Sequence, residues 1–214
     1  MGVVLLSIIS SLITLDKYAF GEFGFSQPII SGTIIGLIFG DVKSGIFLGA
    51  MFQLAFLGGL PIGTEIPPDG PLAGVVGCGT FFLLKRAHSL EQALFLSLVF
   101  ALLIGIIGGA FEIYTRKFNE KLYRLFLRKE SLIYLCHFAG LGTALLRSLL
   151  LILPVFIIAR YLVIPNAFPG LSKDLFIVLG LSVGLANGIY LFIKRTTVIY
   201  LITGVICGLA LLAF

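Results

Sequence analysis

Between Gly36 and Asp69 the chain reads GLIFGDVKSGIFLGAMFQLAFLGGLPIGTEIPPD, and five side chains in it carry chemistry: Asp41, Lys43, Gln53, Glu65 and Asp69. Their surroundings are apolar enough to lie in a bilayer. Ionisable groups in such a setting are costly, so each is a functional candidate by default. Carboxylates and an amide together accept from and donate to a polar solute, and carboxylates also hold cations. The backbone around them is broken by Gly36, Gly40, Gly45, Gly49, Gly58, Gly59, Gly63, Pro61, Pro67 and Pro68. Irregular chain at membrane depth persists only inside protein or along a wet cavity, because unpaired backbone groups in hydrocarbon are strongly unfavourable. Short, Gly/Pro-interrupted apolar segments are the sequence pointer to a transporter's binding site. The plainer reading of the same stretch is a packing hairpin closed by a polar loop.

Each candidate also has a structural reading. Asp69 follows the rigid Pro67-Pro68 corner and serves either as a ligand or as the N-cap of the next helix, where Asp accepts from orphan N–H groups. Gln53 is a ligand or an interhelical hydrogen bond worth about 1 kcal/mol. Glu65 is a ligand or a solvated loop charge. Asp41 pairs with Lys43 or caps a half-helix. Glu22, in the aromatic run YAFGEFGFSQP, is a site residue or an interface residue. Arg147 lies deep in an apolar span and is expected to pair with a carboxylate or to snorkel rather than bind phosphate. His137 is read as a hydrogen-bonded packing residue, not a phosphate carrier.

Composition sets the stage for these groups. Of 214 residues, 59% are hydrophobic and 12% charged, and the mean hydropathy is +1.14. Soluble domains carry about 25% charged residues. The chain is therefore read as an integral membrane protein with no room for a separate soluble catalytic domain. A spanning helix takes about 20 residues, which allows at most about eight to nine passes. The net charge of +5 sits beside apolar spans and is not a nucleic-acid signal. Cys78, Cys136 and Cys207 are scattered in apolar sequence, which excludes a Cys-x-x-Cys site and argues against a disulfide framework. His88 and His137 are isolated, so no metal and no cofactor is expected.

The elements follow from the pattern. The fold class is an all-α integral membrane protein, a polytopic bundle with short re-entrant or broken half-helices in its N-terminal half. Residues 1–91 form the broken-helix region and 92–214 the spanning-helix region of one membrane domain. Residues 2–15 are apolar and short for a span; no basic residue or A-x-A site marks a cleaved signal, so mature protein is expected. Asp16 and Lys17 end that segment. Gln27-Pro28 opens a half-helix over 28–40 whose Gly32, Gly36 and Gly40 form a smooth stripe for close backbone approach. A second piece runs over 45–60, with Gly45, Gly49 and then Gln53 on one face. Residues 61–71 are a loop with two carboxylates. Residues 71–84 are a third short piece, ended by Lys85, Arg86 and His88. Residues 92–115 make a full span closed by Glu112. Over 116–130, Arg116, Lys117, Lys121, Arg124, Arg128 and Lys129 alternate with Phe118, Leu122, Leu125 and Phe126 at helical spacing. This is read as a separate basic amphipathic helix on the cytoplasmic surface, holding anionic lipid or docking a soluble partner. Residues 132–164 exceed one span, so a break near Gly140-Leu141-Gly142 or a kink at Pro154 is expected. The loop VIPNAFPGLSKD faces outward, and 175–193 and 198–214 complete the bundle.

With the elements laid out, the N-terminal residues resemble the IIC membrane subunit of the mannose/fructose/sorbose-type sugar phosphotransferase system. Glu22-Phe23-Gly24-Phe25-Ser26-Gln27-Pro28 is similar to that family's acidic-Phe-x-Phe-x-x-Pro pattern. Gly36 to Gly45 resembles its Gly-x-x-x-Gly-Asp-x-Lys-x-Gly stretch, and Gly49, Leu57-Gly58, Ile62-Gly63 and Pro68-Asp69 resemble the run that follows. The resemblance weakens after about residue 90, where only the order of apolar spans agrees. The family places an acidic residue at Gln53 in some members and an Asn at Pro61. The resemblance implies a IID membrane partner, soluble IIA and IIB proteins that relay phosphate on histidines, a hexose substrate, an oligomeric complex and a place in the bacterial cytoplasmic (inner) membrane. It implies no phosphate-carrying residue in this chain. A hexose would be held by Gln53, Glu65, Asp69, Asp41 and Glu22, since buried, paired hydrogen bonds discriminate strongly against analogues lacking them. Two other readings compete: a self-contained carrier driven by H⁺ or Na⁺ through Asp41, Glu65 or Asp69, and a non-transporting scaffold.

Overall fold

A computed structural model describes residues 2–19, 21–59, 67–126, 133–165, 167–192 and 203. The described residues are helical, with no strand among them: α1 (Val3–Tyr18), α2 (Pro28–Phe39), α3 (Val42–Phe56), α4 (Gly70–Leu84), α5 (Leu90–Phe126), α6 (Ile133–Tyr161) and α7 (Lys173–Phe192). At about 1.5 Å per residue, α1 to α4 run only about 18–24 Å, short of the roughly 30 Å hydrocarbon core. Among the described residues three helices are long and apolar enough to cross a membrane: Leu90–Phe126, Leu135–Tyr161 and Lys173–Tyr190. The chain is a multi-pass membrane protein whose N-terminal region is built of helices shorter than a full span.

The short helices share one end of the bundle. Asp41, at the α2–α3 turn, pairs with Lys85 at the foot of α4 at 2.9 Å. The α6–α7 loop is tied to the start of α5: Leu171 N donates to Glu91 O at 2.9 Å, and the Gln92 amide donates to Pro165 O at 3.2 Å. The other ends of α1, α2 and α4 stop part-way up the long helices. Asp69 N donates to Gly105 O at 2.8 Å, and Gly105 lies about 22 Å along α5 from Leu90. Thr14 on α1 donates to Ser148 on α6 at 2.9 Å. Above this level α5 and α6 continue with the C-terminal end of α1 beside them.

Glycine sets the closeness of the α2–α3 hairpin. A Cβ at Gly32 would stand 2.7 Å from Gly45 O, and one at Gly36 would stand 2.9 Å from Gly45 Cα. Backbones that near exclude every side chain but hydrogen. Gly40, expected in the same stripe, instead closes α2 in the left-handed region at φ 77°, where glycine carries no Cβ penalty. α4 is buried along its whole length and is the centre of the core. Ile35, Leu48, Phe52, Leu94, Ile152 and Phe156 pack into the same core from α2, α3, α5 and α6.

Several boundaries differ from the sequence reading. α3, expected over 45–60, is Val42–Phe56, because Asp41 caps it through Ser44. α1 continues through Asp16 and Lys17 to Tyr18, because the Asp16 carboxylate is satisfied by the following loop rather than by solvent. Residues 116–126 are not a separate helix: α5 is one 37-residue helix. Nothing between Tyr114 and Lys117 breaks its ladder, and the change from apolar to basic faces is a change of surroundings. α6 runs unbroken through Gly140 and Gly142, with Pro154 inside it. Residues 127–132 and the expected last span, 198–214 apart from 203, lie outside the described residues.

Candidate functional site

Where the short helices end, α1, α5 and α6 enclose an open cavity of about 700 Å³. Its wall carries Lys17 and Glu22 from α1 and its loop, Glu112, Arg116 and Asn119 from α5, and His137 and Arg147 from α6. At its floor lies an ion cluster. The guanidinium of Arg147 donates to the carboxylates of both Asp69 and Glu112. The Arg147 and Asp69 side chains are 4% and 1% exposed. Glu112 also accepts from Arg116 at 2.8 Å. Two cations thus balance two carboxylates, which is the condition for burying them at all. Asp69 reaches the cluster because it caps α4, accepting from Leu72 N at 3.2 Å, and because Gly108 and Gly109 let the Pro67–Asp69 segment lie against α5. Cap and buried ion partner are combined in one residue.

The loop bearing Glu22 is held by Asp16. Its carboxylate accepts from Phe23 N at 2.8 Å, Gly24 N at 2.9 Å and Ser26 N at 3.1 Å. Glu22 itself is exposed at φ 55°, a conformation non-glycine residues adopt at some cost, and it faces the cavity. On the opposite wall, Thr143 donates to the Asn119 side-chain oxygen at 2.7 Å, which leaves that amide's N–H groups to the cavity. The site therefore offers carboxylate acceptors and cationic and amide donors around one open volume, within the range of small-molecule pockets.

The five sequence candidates are not gathered in one place. Glu22 lines the cavity and Asp69 lies beneath its floor. Gln53 is on α3, half-buried, and does not line it; its Oε1 is buried with no hydrogen-bond partner among the described residues. Asp41 lies at the other end of the bundle. It caps α3 through Ser44, at 3.1 Å to N and 2.7 Å to Oγ, and its ion partner is Lys85, not the expected Lys43. Lys43 stands two residues past the capping Asp41, so its side chain leaves the turn in another direction. Lys85 and Ser44 hold the Asp41 carboxyl down to about 2. Glu65 lies outside the described residues. Arg147 pairs with carboxylates, as its depth implied. His137 is exposed on the cavity wall rather than packed away. Glu112 and Asn119 were not singled out as site residues. A carboxylate and an arginine inside two successive apolar spans were the signal for Glu112; Asn119 was hidden in the basic run. Among the described residues no cluster could hold a metal ion.

A family model described as PTS system sorbose-specific IIC component matches residues 1–212. The mannose-specific EIIC component of Escherichia coli is 38% identical over 55 residues, 26% of this chain and 21% of that protein. The sorbose-specific EIIC component of Klebsiella pneumoniae is 32% identical over 95 residues, 44% of this chain and 34% of that protein. The fructose permease IIC component of Bacillus subtilis is 33% identical over 73 residues, 34% of this chain and 27% of that protein. These matches span between 21% and 34% of the relatives' own length. Among solved structures, a mannose transporter ManYZ in complex with a microcin is similar with TM-score 0.58 at 20% identity, over 99% of this chain and 84% of that chain. Another, described as a membrane protein, reaches TM-score 0.67 at 21% identity, over 99% and 85%. At that identity the likeness shows the fold. Matched from residue 1 to residue 212, the chain belongs to the sorbose-specific IIC component family of the phosphotransferase system.

Proposed function

We propose that this chain is the sugar-translocating IIC subunit of a mannose-family phosphotransferase system in the bacterial cytoplasmic membrane. It works with a IID membrane subunit and passes a hexose to soluble IIA and IIB proteins for phosphorylation. The observation that carries the reading is the polar cavity at the level where the four short helices end, above the Asp69–Arg147–Glu112 cluster. The cavity opens toward the end bearing the basic residues 116–126, which the excess of Lys and Arg marks as cytoplasmic.

In this reading sugar hydroxyls donate to Glu22 and accept from the Asn119 amide and His137. Arg147 positions Asp69 and Glu112. Gln53 and Glu65 belong to the route as the carriers of a second set of contacts on the broken segment, and Asp41 serves the hairpin turn rather than the sugar. An ion-coupled carrier needs a buried carboxylate available to H⁺ or Na⁺. Asp69 and Glu112 are both engaged by arginine, which favours the IIC reading. The test is uptake and phosphorylation of labelled mannose, fructose and sorbose in cells carrying this chain with and without its IID partner. Phosphorylation that needs both supports the proposal; uptake of free sugar by this chain alone overturns it.

A further inference from the structure

At the end of the bundle opposite the polar cavity, three helices present one lysine each to a single pocket. Lys43 comes from the first turn of α3, Lys85 from the foot of α4 and Lys173 from the first turn of α7, around about 220 Å³. Ser44, Phe47, Phe81, Leu90 and Leu94 complete the wall. Lys85 is paired with Asp41 at 2.9 Å, while Lys43 and Lys173 have no carboxylate partner among the described residues. The mouth therefore carries an excess of positive charge. Neither Glu91 nor Asp174, both close in sequence, lines it.

Directly below, α3, α5 and α7 carry an apolar groove. It encloses about 200 Å³ among Met51, Phe52, Leu98, Leu102, Phe176 and Val183. Phe47 and Met51 on α3 are one turn apart, as are Leu90, Leu94, Leu98 and Leu102 on α5. Lys173 and Phe176 step down α7 in the same way. Phe176 stands 5.9 Å from the Phe47 ring and 6.0 Å from the Phe52 ring, so the two volumes share a wall. From Leu90 to Leu102 the slot runs about 18 Å, close to the roughly 15 Å of one leaflet's hydrocarbon. A cationic mouth at a bundle end, above an apolar slot one leaflet deep, matches a phosphate headgroup joined to an acyl chain.

We propose that this slot binds one anionic glycerophospholipid, its phosphate at Lys43, Lys85 and Lys173 and one acyl chain between α3, α5 and α7. The lipid fills the gap between α5 and α7, which touch each other at few points, and so steadies α3, the helix that bears Gln53. The proposal is independent of which sugar the chain handles.

The test uses the full chain, with any membrane subunit that co-purifies, stripped of lipid in detergent. It is titrated with phosphatidylglycerol, phosphatidylcholine or inorganic phosphate, and read by native mass spectrometry and the thermal unfolding midpoint. One retained phosphatidylglycerol and a raised midpoint are expected, with little effect of phosphatidylcholine or phosphate. Lys43→Gln/Lys173→Gln, at two exposed positions, should weaken retention roughly 30-fold, as each lysine near an anionic headgroup contributes about a fivefold factor. Leu98→Trp, which fills the slot, should lower retention with the lysines intact. Equal retention of both lipids, an unchanged double variant, or folded protein that retains no lipid overturns the proposal. A midpoint shift reproduced by phosphate alone assigns the mouth to a free anion and overturns it as well.

Discussion

Arg147 on α6 and Asp69 at the head of α4 form a buried ion pair across 78 residues of sequence, with both side chains less than 5% exposed. Removing one member of such a pair leaves an uncompensated buried charge, which costs about 3–5 kcal/mol. Asp69→Asn and Arg147→Gln should each lower the thermal midpoint and membrane yield by that measure. The double variant should be more stable than the sum of the two predicts, because Glu112 keeps Arg116 as its cation. Additive losses in a double-mutant cycle would show that the two residues do not act as a pair.

Gln53 separates stability from function. Its Oε1 is buried without a partner among the described residues, so Gln53→Leu removes a group whose desolvation costs about 1–3 kcal/mol. We expect equal or higher thermal stability and reduced sugar uptake at unchanged abundance. Unchanged uptake would take Gln53 out of the sugar route.

The α2–α3 hairpin tolerates no side chain between its backbones. Gly45→Leu must push α2 from α3, since even a Cβ at that position would stand 2.8 Å from Gly36 Cα. Overpacking of this kind costs about 1–3 kcal/mol. Gly2→Leu, where a Cβ meets nothing within 4 Å, is the control. Equal yields of the two variants would contradict the packing described.

Asp41 gives a pH signature. Its folded carboxyl is depressed from 3.8 to about 2. Its contribution is therefore full above about pH 4 and is lost as pH falls toward 2. The pair is about a third exposed, so its worth is small, below about 1 kcal/mol. Asp41→Asn should lower the midpoint slightly at pH 7, and the difference from the native chain should shrink between pH 4 and 2. A difference that grows on acidification contradicts the assignment.

Topology is open to labelling. In a background with Cys78, Cys136 and Cys207 replaced by Ser, Lys121→Cys should react only from the cytoplasmic side. Val163→Cys, at a position 86% exposed, should react only from the other. Reaction of both from one face would overturn the orientation drawn from basic-residue asymmetry.

The glycine spacing at 32, 36, 45 and 49 was enough to anticipate a close hairpin, since a four-residue repeat of hydrogen side chains has few other uses in an apolar helix. The depth of Arg147 likewise announced a carboxylate partner. What could not be read was which one. Asp69 and Glu112 are brought to it by the lengths of α4 and α5 and by the Asp69 N to Gly105 O bond, none of which is a local pattern. Residues 116–126 show the limit from the other side. Periodicity marks a helix with a basic face but is silent on whether its axis continues that of the helix before it. The cavity itself is a product of unequal helix lengths, so Asn119 and His137 had no signal until α1, α5 and α6 were placed together.

The four short helices also have an electrical consequence. Packed chain extends about 24 Å along α4 from Lys85 to Asp69, and above it lies the open polar cavity. With water filling the cavity, a membrane voltage would drop mainly across that slab instead of the full roughly 30 Å, steepening the local field by about a quarter. A neutral sugar crossing the slab does no electrical work. A phosphorylated one would meet about 2.3 kcal/mol per charge for each 100 mV. Under the proposed function, this geometry favours passage before phosphorylation, with the charged product left on the cavity side.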